Sequence, residues 1–129
     1  MYEPPHHKEA RLETLHELIR AHPLGLLISA GADAPVADPV PFLLDAEVVS
    51  FGRLRAHIAR ANPQARLLAE GGRQVLVVFQ GVDTYVTPSW YETKRETGKV
   101  EPTWNYVIVQ ARGHARLIDD RDWLAGQIA

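Results

Sequence analysis

The period of the apolar positions changes several times along the chain, and each change marks an element. Between Glu9 and His22, Leu12, Leu15, Leu18 and Ile19 recur at the three- and four-residue steps that gather side chains on one face of a helix. Pro23 ends that helix, because proline lacks the backbone donor and disfavours helical geometry in the residue before it. Three strand-like stretches follow, Leu24 to Ser29, Val36 to Leu44 and Val48 to Ile58, with turn signals at Gly31 to Pro35 and at Asp45 to Glu47. This order predicts an antiparallel meander. Asn62-Pro63 then reads as an N-cap with proline at the first helical position, and Ala65, Leu67, Leu68 and Ala69 carry a short helix to Gly71-Gly72.

The unbroken apolar run Val75 to Phe79, inside Gln74 to Gln80, predicts a central strand buried on both faces. Asp83 to Thr87 predicts another strand. Pro88 to Pro102 is polar, with a charged middle from Glu92 to Glu101, and reads as a loop. A long last strand is expected from Trp104 to Ile118. Asp119-Asp120 then caps a helix whose Trp123, Leu124 and Ile128 are apolar at helical spacing, and this helix reads as cut short at the end of the chain. The fold class expected is mainly β: one domain over residues 1–129, a mostly antiparallel six-stranded β-barrel with accessory helices.

Composition narrows the function classes. The chain has 129 residues, 46% hydrophobic and 23% charged, which is ordinary globular usage. With no cysteine, disulfide scaffolds, thiolate metal sites and cysteine nucleophiles are excluded together, and no other metal site is expected. No basic-then-apolar leader opens the sequence and no apolar run approaches a membrane span, so a cytoplasmic protein without a membrane partner is expected. A net charge of −2 gives no overall attraction to a polyanion, so any DNA binding would need a local patch. Five of the 14 Lys and Arg residues lie between Arg53 and Arg73, opposed only by Glu70. That segment is the natural place for a phosphate.

Within it, Leu54-Arg55-Ala56-His57-Ile58-Ala59-Arg60-Ala61-Asn62-Pro63-Gln64 runs an arginine- and histidine-bearing strand into a helix start. Arg side chains and the unpaired N–H groups of a helix start together suit a phosphate. A solvated basic strand edge followed by an ordinary capped helix has the same pattern. Further on, Phe79-Gln80-Gly81 to Tyr91 and Pro102-Thr103-Trp104-Asn105-Tyr106 mix aromatics with hydroxyl and amide groups. They suit the faces and edges of a planar heteroaromatic ring, or equally the plugged end of a barrel. Glycine-rich dinucleotide and P-loop patterns are missing.

These stretches, in this order, resemble the signature of the PaiB family of FMN-binding transcriptional regulators. The carriers are Phe79-Gln80-Gly81, Tyr85, Ser89-Trp90-Tyr91, Pro102-Thr103-Trp104-Asn105-Tyr106 and His57-Ile58-Ala59-Arg60-Ala61-Asn62-Pro63-Gln64, with Met1-Tyr2 and Pro4 or Pro5 similar to the family's opening. The resemblance implies an FMN-binding split β-barrel that forms a homodimer, as in the wider group of pyridoxamine-phosphate oxidases and flavin reductases. It implies that Arg55, His57, Arg60, Asn62 and Gln64 lie on the phosphate side. It implies too that Ser89, Trp90, Trp104 and Asn105 lie toward the ring or the partner subunit. Family members usually carry further carboxy-terminal structure.

The function implied is that of a negative transcriptional regulator, with DNA as a partner by resemblance. The residues themselves show no helix-turn-helix pattern. The alternative is an FMN-dependent oxidoreductase that draws on a nicotinamide cofactor. No general acid or base stands beside the expected ring site, so no catalytic residue is assigned.

Overall fold

Ten residues, Leu12–Ala21, form the first helix, α1, in the computed structural model, which describes residues 1–128. The helix starts three residues later than the apolar spacing suggests. Glu9 accepts from the backbone N–H of Arg11 at 2.8 Å and binds its guanidinium, and this local turn holds both residues outside the helix. The contact with Arg11 lowers the Glu9 carboxyl to about 2. Ile19 is buried, and Leu15 and Leu18 pack beside it against the core.

Five strands follow: β1 (Leu24–Ala30), β2 (Pro35–Asp45), β3 (Arg53–Ala56), β4 (Arg73–Val86) and β5 (Thr103–Ala115). They form one sheet in the order β3-β2-β1-β4-β5, with every neighbouring pair antiparallel. The fold is therefore mainly β, as expected, but it has five strands rather than six, and the sheet is not closed. Two expected strands are one. Gln74–Gln80 and Asp83–Thr87 join in β4 because β5 is long enough to pair with both, and the register shifts between Gln80 and Asp83 without breaking the ladder. The expected Val48–Ile58 strand shrinks to β3, because β2 runs on to Asp45 and the chain then turns through Gly52 at φ +87°.

One face of the sheet makes the core. Leu27, Val40, Phe42, Val77, Phe79 and Val109 meet Ile19 of α1 and Leu68 of α2 (Pro63–Ala69). Phe42 and Phe79 pack edge to face with ring centroids 5.6 Å apart. Gly25 allows this approach, since a Cβ there would lie 2.7 Å from Phe79 Cε1 and 2.8 Å from Val77 Cγ1. On β4, Val77 and Phe79 are buried while Leu76 and Val78 are only half-buried, so the expected burial on both faces is corrected to burial on one. The opposite face is left open, with Leu24, Leu26 and Leu43 exposed beside Pro39 and Pro41.

The expected loop Pro88 to Pro102 contains a helical turn, α3 (Thr93–Thr97), closed by Gly98 at φ +67°. The last helix, α4 (Arg121–Ile128), begins where the sequence places it, with Asp120 Oδ1 accepting from the Trp123 N–H at 2.7 Å. No helix among the described residues is long and apolar enough to cross a membrane.

Candidate functional site

Strand β3 pairs with β2 so that Leu54 and Ala56 face the core while Arg53 and Arg55 take the other side, with Leu43 and Asp45. On that side Arg55 meets Asp45 through two bonds, Nε to Oδ2 at 2.6 Å and Nη2 to Oδ1 at 2.9 Å. The hydrogen bond from Arg55 holds the Asp45 carboxyl below its ordinary value, and the same bond raises Arg55. Both side chains are half-buried. His57 lies exposed just past the strand. Arg60 is more exposed still and donates from Nη2 to Asp119 Oδ1 at 2.6 Å, linking this segment to the stretch before α4.

Asn62 and Gln64 are placed differently. Asn62 caps α2, its Oδ1 accepting from the Gln64 N–H at 2.8 Å, while its Nδ2 donates to Asp38 Oδ2 at 3.1 Å. Gln64 is fully buried. Its Nε2 donates to Asp38 Oδ2 at 2.7 Å and to the Leu27 carbonyl at 3.1 Å, and its Oε1 accepts from Ser29 Oγ at 2.6 Å. The Ala65 N–H is also engaged, by the Asn62 carbonyl at 2.9 Å. The start of α2 is thus closed by its own cap, and the cationic side chains remain as the groups open to an anion. Sequence reasoning missed Asp38 and Asp45, because no local spacing announces a partner on another strand.

Arg55, His57 and Arg60 are among the residues that line a cavity of about 1240 Å³, which Leu27, Phe42 and Val77 of the core face also line. The four remaining candidates do not border this cavity. Ser89 and Trp90 sit in a 3-10 turn after β4, where Ser89 Oγ and Thr87 Oγ1 are 3.0 Å apart and Trp90 is 70% exposed. Trp104 opens β5 opposite Tyr85, the two rings 5.8 Å apart, and its Nε1 donates to Asp83 Oδ1 at 3.0 Å. Asn105, opposite Thr84, lies on the other face of the hairpin.

On the face of Trp104 the register also places Tyr106, opposite Asp83, so Tyr85, Trp104 and Tyr106 form an exposed aromatic surface. The alternation of Asp83 with Tyr85 and of Trp104 with Tyr106 is the signal that could have found it. A single chain therefore carries two separate groups. One is cationic, at the β3 edge. The other is aromatic, at the far end of the β4–β5 hairpin. Among the described residues no three His, Cys, Asp or Glu side chains gather as a metal site requires.

Compared with known proteins, residues 1–129 match the family described as "Putative FMN-binding domain". The chain belongs to this family. As a member of the FMN-binding-domain family it is 40% identical over 146 residues to the uncharacterized protein AN0679 of Emericella nidulans, an alignment covering 93% of this chain and 58% of that protein. It is 34% identical to the uncharacterized protein YKL070W of Saccharomyces cerevisiae over 148 residues, covering 100% of this chain and 86% of that one. To the protease synthase and sporulation protein PAI 2 of Bacillus subtilis it is 29% identical over 128 residues, covering 99% of this chain and 58% of that protein. The PaiB-like resemblance is thus supported along the whole chain, which spans little more than half the length of two of these relatives.

Proposed function

We propose that this member of the FMN-binding-domain family binds FMN between two copies of itself and acts as a PaiB-like regulator. The phosphate is held by the cationic segment of one copy. The isoalloxazine ring is covered by the aromatic hairpin of the other. The observation that carries this reading is the separation of the two groups within one chain: Arg55, His57 and Arg60 border one cavity, and Ser89, Trp90, Trp104 and Asn105 stand apart from it on an exposed hairpin. A second copy is the simplest way for both to reach one ligand. The open sheet face, with Leu24, Leu26, Pro39, Pro41 and Leu43, offers apolar surface for that copy to cover.

The residues fit the two ends of FMN. Arg55 and Arg60 supply charge-assisted donors suited to phosphate oxygens, with His57 beside them. Trp104, Trp90 and Tyr85 supply faces that pack against a planar ring. Asn62 and Gln64 serve by fixing α2 to β1 and β2. When bound, FMN supplies a ring that accepts hydride or single electrons. The regulatory part of the reading is supported by the likeness to PAI 2, a protein named for protease synthesis and sporulation.

Visible absorbance of the purified protein, followed by titration with FMN and with riboflavin, tests the ligand. Tighter binding of FMN than of riboflavin is expected, and equal affinity would remove the phosphate role of the cationic segment. A DNA fragment shifted by the protein with an affinity that falls as salt rises supports the regulator. Oxidation of a nicotinamide cofactor without any DNA shift would instead assign a flavin oxidoreductase.

A further inference from the structure

Arg55 and Arg60 differ in how they are held. Arg60 makes one bond to Asp119, and both side chains stand largely in solvent, 85% and 67% exposed. Such a contact leaves a long side chain free to sample many rotamers. Arg55 is gripped instead by both oxygens of Asp45, on the adjoining strand and on the same side of the sheet, with less than a third of either side chain exposed. A guanidinium carries its donors along two edges. Asp45 takes the edge formed by Nε and Nη2. The other edge, one hydrogen on Nη1 and the second one on Nη2, meets no acceptor among the described residues.

We propose that Asp45 is a positioning residue, which clamps one edge of Arg55 so that the Nη1–Nη2 edge is presented in a fixed orientation to a phosphomonoester. The inference rests on the reading that Arg55 faces the FMN phosphate. An Arg that is already oriented loses less conformational freedom when it binds, so more of its hydrogen bonding appears as affinity. The carboxylate does not consume the site, because a phosphate needs only the free edge for a two-bond contact. The lowered titration of Asp45 keeps it ionised, and the clamp therefore in place, through the neutral range. Arg53, the residue opposite Asp45 in the strand pairing, lies on the same side and adds to the same lowering.

The clamp is separable from a plain staple between β2 and β3, which would hold the strands together whatever the ligand. The experiment measures FMN and riboflavin affinities and apo melting for the protein and for Arg55→Ala, Asp45→Ala, Asp45→Asn and Arg55→Ala/Asp45→Ala. Arg55→Ala is expected to weaken FMN by roughly tenfold or more and leave riboflavin unchanged. Asp45→Ala is expected to weaken FMN by roughly three- to tenfold, again without moving riboflavin, and to have no further effect once Arg55 is gone. Asp45→Asn, which keeps one acceptor, should fall between. If Arg55→Ala weakens FMN but Asp45→Ala and Asp45→Asn leave it unchanged or tighten it, Asp45 is a staple or a competitor and the clamp is wrong. Equal losses for FMN and riboflavin on changing Asp45 would also overturn it. No effect of Arg55→Ala on FMN would overturn both the clamp and the phosphate reading beneath it.

Discussion

The amide of Gln64 joins three elements: it binds Ser29 and the Leu27 carbonyl on β1 and Asp38 on β2 from its own place on α2. With no exposure to water, each of these partners loses its bond if the amide is removed. Gln64→Ala should therefore destabilise the protein by about 2–4 kcal/mol, read from denaturant unfolding, as expected for a cavity plus orphaned buried polar groups. Trp104 is the contrasting case. It is 55% exposed, so it does not plug a barrel end, and its contacts are Tyr85 and Asp83. Trp104→Ala should lower apo stability by about 1 kcal/mol or less, the scale of one exposed aromatic pair, while reducing FMN affinity. A loss of stability on the scale of a buried aromatic, with FMN binding intact, would place Trp104 in the fold and not in the site. The residue types at both positions were legible as candidates. Burial was not, because it depends on strands distant in sequence.

Elements were legible where the local pattern and the tertiary packing agree. The run Val75 to Phe79 gave β4 its core, and Asn62-Pro63 and Asp120 mark helix starts that the caps confirm. Elements were misread where a distant strand decided the outcome, as between Gln80 and Asp83, where two expected strands become one because β5 pairs on both sides of the break. Gly25 shows the same dependence, since the close approach of Phe79 and Val77 from β4 explains it. Gly25→Ala should cost about 1–3 kcal/mol in unfolding free energy, as for overpacking where a buried ring cannot retreat.

The β2–β3 pair also predicts a pH response. Asp45 titrates below its ordinary 3.8 because of the bond from Arg55. A lowered carboxyl stabilises the folded state fully above its unfolded pKa and loses that contribution as pH falls through the folded value. Melting temperature should thus hold above pH ~4 and decline below it, and Asp45→Asn should flatten that decline. Glu9, lowered to about 2 by Arg11, extends the decline further into acid.

For the whole molecule, the proposed dimer assigns the open face of the sheet to the second copy. Leu26 lies on that face, between Pro39 and Val78 in the pairing, and remains exposed in the single chain. Leu26→Asp should give a folded monomer by light scattering and circular dichroism, with FMN affinity lost alongside the dimer. A dimer that survives the change would move the interface elsewhere.

The proposed site, shared between two copies, is tested most directly by mixing two defective proteins. Arg55→Ala lacks the phosphate side and Trp104→Ala lacks the ring side, and at a suitable FMN concentration neither alone should bind. A mixed dimer rebuilds one intact site, from the Arg55 of one copy and the Trp104 of the other. After equal mixing and exchange, about a quarter of all sites should recover wild-type affinity, since half the dimers are mixed and half their sites are whole. No recovery in a mixture shown to contain mixed dimers would contradict a shared site and return both groups to one chain.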